Sequence, residues 1–162
     1  MEQAVRQHQP KVVIAVGQAG GRTDMTPERV AINLDDARIA DNAGKQPIDR
    51  PIQKLGPAAF FSTLPVKAIT AALAKAGLPA SVSHTAGTFI CNHVFYGLMA
   101  MQAEHGIARC GFIHIPFLPE QAALRSGQPS MALADMVRGL RIAVEVSVRQ
   151  KRDVRTVGGT TH

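Results

Sequence analysis

The stretch SVSHTAGTFICNHVFYGLMA, Ser81 to Ala100, passes from an extended-looking segment through a Gly/Thr turn into an apolar helical segment, with a cysteine at the junction and histidines on both sides. Ala80 to His84 reads as a short strand, whereas the residues from Cys91 onward carry their apolar side chains at helical spacing. A strand that leads into a helix is the building unit of an α/β domain. Ligands of open α/β folds gather at the carboxyl ends of the strands. Cys91 therefore sits where a ligand is expected.

The same alternation continues on either side of this junction. KVVIAVG, from Lys11, is β-branched and closed by glycine, which predicts a buried strand. The polar QAGGRTDMTPE behind it reads as a loop. RVAINLD, Arg29 to Asp35, sets Val30, Ile32 and Leu34 in alternation, as in a half-buried strand. Residues Asp36 to Pro57 are rich in Asp, Asn, Gly and Pro and form a long surface excursion, a kind of loop that is usually functional. LPVKAITAALAKAGLPA predicts a helix with Val66, Ile69 and Leu73 on one face, ended by Gly77 and Pro79. Further helices are expected from Cys91 to Gly106 and from about Ser130 to Val148, the latter with Met131, Leu133, Met136, Val137, Leu140 and Val144 near helical spacing. CGFIHIPF, closed by Pro116 and Pro119, is a strand between them. The expected fold is a single α/β domain over residues 1–150, a twisted, mostly parallel sheet flanked by helices in three α/β/α layers, followed by a basic flexible tail at 151–162.

At 162 residues the chain can bury a core as one domain. Its apolar runs fall far short of the ~20 residues of a membrane span. MEQAVRQHQPKVVIAVG lacks the pattern of a secretory leader, so the cytoplasm is the expected compartment. Two cysteines, Cys91 and Cys110, are too few for a disulfide scaffold. The net charge of +6 suggests nucleic acid, but much of the excess lies in RQKRDVRTVGGTTH, from Arg149, with no aromatic residue among the charges. That pattern reads as a solvated end, and neither nucleic acid nor membrane is expected as a partner.

A cysteine at a helix start is favoured as thiolate, the reactive form, although an unreactive cysteine is among the most buried residue types. A nucleophile needs a base within reach. His93, two positions beyond Cys91 in the same helix, points to a different face. His84 falls within its own strand. His114, polar inside the apolar strand GFIHIPF and just before its proline stop, surfaces at the carboxyl edge of the sheet, though a core histidine would fit the same place. An acid should fix the imidazole's tautomer. Glu28, Asp35 and Asp36 compete for that role, and spacing does not choose among them.

Taken together, VGQAGGRTDMTPERVAINLDDARIADN, SHTAGTFICNHVFYGLM and GFIHIPFLPEQ resemble the pyroglutamyl peptidase I family of cytosolic cysteine peptidases, over most of the chain from about Lys11 to about Val148. Three long motifs in order are far more specific than one short pattern. The resemblance implies that the catalytic residues are Glu28, Cys91 and His114. It also implies that Arg38 lies near the oxyanion and that Gln18 and Phe89 line the pocket for the five-membered lactam. The implied reaction removes an N-terminal pyroglutamyl residue from peptides through a thioester, with no cofactor or metal, in a homo-oligomer that is tetrameric in the family.

Relatives of that family begin with a strand and a GFEPFGG-like segment; this chain starts roughly fifty residues later on the scale of such domains. Weak or no peptidase activity is therefore expected unless another chain supplies the missing wall. Two other readings compete: an impaired relative that acts only as an association partner, and a thiol redox sensor using Cys91 and Cys110.

Overall fold

The computed structural model describes residues 1–159. The elements in order are α1 (Glu2–His8), β1 (Val12–Gln18), β2 (Thr26–Pro27), β3 (Val30–Ile32), β4 (Ala59–Phe61), α2 (Val66–Lys75), α3 (Ile90–Ala100), β5 (Arg109–Ile115), α4 (Pro119–Ala122) and α5 (Leu133–Arg149). β5 lies at the centre of a three-stranded sheet in the order β1-β5-β2, parallel to β1 over seven register pairs and antiparallel to the two residues of β2. β3 and β4 pair in a separate antiparallel ribbon.

Alternation along β1 and β5 divides the core into two layers, as period-2 side chains must. Val12, Ile14, Ile113 and Ile115 face α2 and α5, where Ile69, Leu73, Met136 and Ala143 meet Met25. Val13, Ala15, Cys110 and Phe112 face α3, where Phe95, Tyr96, Leu98 and Met99 are buried. The α/β class and the α/β/α layering thus follow the sequence. A Cβ at Gly139 would run into Met25, so the missing side chain lets α5 close onto the sheet.

Several local expectations are corrected. KVVIAVG is half-buried rather than buried, with Val16 exposed, because β1 is an edge strand of the described sheet. In RVAINLD the strand covers only Val30 to Ile32, and Ala31, not Val30 or Ile32, is the buried position. α3 packs against that face, and only a small side chain fits beneath it. Ala80 to His84 forms no strand; it makes the isolated parallel bridges Met25 to Ala80 and Glu28 to Ser83. α3 ends at Ala100, six residues before the expected stop at Gly106, and the chain continues through turns. α2 matches its reading, and its missing N-terminal cap is supplied from afar: Asp153 accepts the N–H groups of Lys67 and Ala68 at 3.1 and 2.9 Å. The basic segment from residue 151 is anchored at that point, and its residues 160–162 lie outside the described residues.

Candidate active site

Strand register brings the first two functional groups together. Thr26 stands opposite His114, and the Glu28 N–H donates to the Phe112 carbonyl at 2.9 Å, so Glu28 is a diagonal neighbour of His114 on the α3 side of the sheet. Their side chains meet, with His114 Nδ1 2.6 Å from Glu28 Oε1. The glutamate is 0% exposed and the histidine 3%, so the pair is shielded from water. With Nδ1 held by the carboxylate, Nε2 is the nitrogen left for a reacting group.

α3 delivers that group. Cys91 is the second residue of the helix and partly exposed, and its side chain lies close enough to His114 to raise that residue's proton affinity. Two features set this approach. Asn92, buried next to the cysteine, accepts from the Ile32 N–H at 3.0 Å and donates to the carbonyls of Ile32 and Leu34 at 2.9 and 3.0 Å, which docks the first turn on β3. Gly17 stands opposite His114 in the register, and a Cβ there would lie 2.6 Å from the Phe112 ring and 3.1 Å from Cys91 Sγ. A side chain at position 17 would press on both the Phe112 ring and the thiol.

Charge favours the same pairing. Burial alone would lower the proton affinity of His114, but its hydrogen bonds with Cys91 and Glu28, together with their negative charges, outweigh that and hold its pKa above the ordinary 6.5. An imidazolium between a thiolate and a carboxylate is the charge pattern of a cysteine-based acyl transfer site. No side chain caps the start of α3, so its first N–H groups are free to face a developing oxyanion.

The competing candidates have other partners. His93 points away from the thiol and pairs with Asp35, Nδ1 to Oδ2, at 2.8 Å, with the histidine side chain 56% exposed. Asp36 is exposed and is held through its backbone by Thr88. His84 is exposed. Cys110 is a core residue against Met99, and burial pushes its thiol up to about 11, so it stays protonated at neutral pH. Among the described residues no cluster of His, Cys, Asp and Glu could hold a metal ion.

The residues expected to contact substrate are not gathered in one cavity. Phe89 lines a space of about 1070 Å³ beside the long excursion, with Asp35, Ile48, Arg50 and His93. Gln18 instead hydrogen-bonds Gln121 at the end of β1 and lines a space of about 370 Å³ with Phe117 and Arg125. Arg38 is exposed on the excursion. Sequence reasoning missed Gly17, Asn92 and Arg22, the last lying 2.9 Å from Glu28 Oε1. A glycine closing an otherwise β-branched strand, GQ after KVVIAV, was the available signal for Gly17.

Comparison with known proteins finds relatives over nearly the whole chain. A family model described as pyroglutamyl peptidase matches residues 1–150. Pyrrolidone-carboxylate peptidase 1 of Ralstonia nicotianae is 67% identical over 154 residues, covering 94% of this chain and 72% of the relative. The pyrrolidone-carboxylate peptidase of Bacillus thuringiensis is 56% identical over 163 residues, 100% of this chain and 76% of its own. The crystal structure of pyroglutamyl peptidase I from Bacillus amyloliquefaciens superposes with a TM-score of 0.93 at 49% identity, covering 96% of this chain and 74% of that one. The pyrrolidone carboxyl peptidase of Thermococcus litoralis gives 0.90 at 37% identity, covering 96% and 75%.

Proposed function

This chain belongs to the pyroglutamyl peptidase family, and from that premise we propose that it is a cysteine peptidase that removes an N-terminal pyroglutamyl residue from peptides through a thioester. The observation that carries the reading is the convergence of Cys91, His114 and Glu28 between α3 and β5, with His114 bonded to Glu28 at 2.6 Å. Cys91 thiolate attacks the carbonyl that joins pyroglutamate to the next residue, and N–H groups at the start of α3 receive the oxyanion. His114 gives its proton to the leaving amine, then takes one from water, whose hydroxide displaces the sulfur. Glu28 holds the imidazole through Nδ1 and stabilises its charged form.

The remaining site roles are part of the same reading. Arg38 is assigned to the oxyanion side, and Phe89 and Gln18 to the lactam pocket. The aromatic wall of Phe89 supports its part, since a neutral lactam is complemented by apolar surface with a few amide contacts. Gln18 and Phe89 reach one ligand only if the mouth between their cavities is bridged. The enzyme is placed in the cytoplasm; among the described residues no helix is long and apolar enough to cross a membrane. Residues 1–150 are taken as the catalytic domain, with 151–162 as its basic tail.

Association with a second copy is supported by α5. Leu133, Val137, Val144 and Val148 recur at helical spacing on its outer face and are 39–62% exposed, an apolar stripe on the side away from the core. Light scattering of the wild type and of Val144→Glu tests this: a multimer that the substitution splits is expected, and a monomeric wild type would reject it.

The activity is tested with a chromogenic pyroglutamyl amide on the wild type and Cys91→Ser. Release by the wild type that falls at least about 10³-fold in the variant is expected. Equal rates from both would end the proposal.

A further inference from the structure

The catalytic carboxylate has a second partner that the reaction scheme above does not use. Glu28 Oε1 accepts from His114 on one side and lies 2.9 Å from Arg22 Nη1 on the other, while Oε2 is buried without a hydrogen-bond partner among the described residues. The same guanidinium bonds the Thr26 hydroxyl and donates through Nη2 to the Thr85 carbonyl at 3.1 Å. Thr85 lies in the segment that leads into α3, six residues before Cys91. Arg22 therefore joins the acid to the loop that carries the nucleophile.

We propose that Arg22 is a positioning residue for catalysis: its guanidinium balances the charge of the buried Glu28 carboxylate and fixes the Thr85 segment, so that His114 is held as imidazolium against the Cys91 thiolate. The balance of charge gives the reason. Arg22, Glu28, His114 and Cys91 carry +1, −1, +1 and −1 in the reactive state, a neutral set whose central pair, Glu28 and His114, is shielded from water while Arg22 and Cys91 are partly exposed. Without Arg22 the set has an uncompensated negative charge, and a buried lone charge is costly. The cheapest relief is one proton taken up by the thiolate or the carboxylate, and either outcome dismantles the reactive pair. The other ion pairs of the described residues, Arg6–Glu2, His93–Asp35 and Arg138–Asp135, involve groups outside this set.

This inference rests on the Cys91–His114–Glu28 reading, and its test does not require a peptide substrate. The rate of Cys91 alkylation by iodoacetamide is followed against pH; Cys110 is buried and contributes no signal. Arg22→Met is expected to move the acid limb of that profile upward by about one pH unit, the scale of an opposite charge at this distance. Its kcat should fall about 10- to 100-fold with KM within about threefold. Arg22→Lys keeps the charge and loses the fork, so its limb should stay in place while kcat falls a few-fold. In a Glu28→Gln background, adding Arg22→Met should displace the limb no further. A merely structural role predicts slower reaction with the limb unmoved in every variant. An unmoved limb in Arg22→Met, an equal displacement in Arg22→Lys, or a full added displacement in the double variant would each overturn the proposal. If thermal melting shows Arg22→Met unfolded, Arg22→Gln takes its place with the same expected displacement. Alkylation can follow its expected course even where pyroglutamyl amide cleavage is absent, which separates failure of this inference from failure of the peptidase reading.

Discussion

Two imidazole–carboxylate pairs flank the same turn of α3, and they do different things. His114 and Glu28 meet at 2.6 Å with side chains 4% and 0% exposed, whereas His93 and Asp35 meet at 2.8 Å with side chains 56% and 14% exposed. Hydrogen-bond length hardly separates them. Burial does, because a shielded carboxylate acts on its imidazole in a low dielectric while a wet pair is screened to little net effect. The difference also shows in what lies on the far side of each ring: the thiol of Cys91 beside His114, the wall of an open cavity beside His93. In the proposed mechanism the chemistry follows from the combination of a buried acid, an imidazole and a thiol, for which a histidine close to the cysteine in sequence is no substitute.

The strongest way to break this comparison is to remove each imidazole in turn. His114→Ala should lower the rate with a pyroglutamyl amide by about 10³-fold or more, since base and acid are lost together. His93→Ala, which removes a largely solvated pair tying α3 to the excursion, should change it by no more than about threefold. Similar losses from both would show that the wet pair takes part in the chemistry and would remove burial as the deciding property.

A second test sharpens the buried side alone. Gly17→Ala places a methyl where the Phe112 ring and the Cys91 sulfur already stand, at 2.6 and 3.1 Å. The ring and the thiol cannot both keep their places. A loss of about 10²-fold in kcat is expected, on the scale of a misplacement of about 1 Å at a reacting atom, with near-ultraviolet circular dichroism retained. An unchanged kcat would show that the contact between thiol and imidazole tolerates displacement.

Much of this architecture was legible in the sequence and some was not, for physical reasons. α2 and β5 read directly, because Val66, Ile69 and Leu73 share a face and GFIHIPF is a buried run with a proline stop. Cys91 and His114, the nucleophile and base we propose, were legible as candidates from their places at the ends of secondary elements. The acid was not. Glu28 and Asp35 are both carboxylates at strand ends, and only the antiparallel return of Thr26–Pro27 along β5 decides which of them reaches His114. Arg22 and Asn92 were missed for a similar reason: a polar side chain at the edge of a loop or in a helix shows no periodicity, and its partners lie 4 to 63 residues away in the chain. The alternation of RVAINLD misled because the buried position, Ala31, is set by the helix above it and not by side-chain size.

A smaller effect tests the comparison through stability instead of rate. The folded-state pKa of His114 is raised by Cys91 and Glu28 against the opposing effect of burial, so folding binds its proton more tightly than the unfolded chain does. A group with a raised pKa contributes stability that is fully present below its unfolded value, near 6.5, and that is lost as pH rises through the folded value. The difference in unfolding free energy between wild type and His114→Gln should therefore shrink as pH is raised from about 6 toward 9, measured by urea unfolding at each pH. A His114 difference that is flat with pH would mean that folding leaves the proton affinity of the imidazole unchanged, and the contrast between the buried and the wet pair would then have to rest on geometry alone.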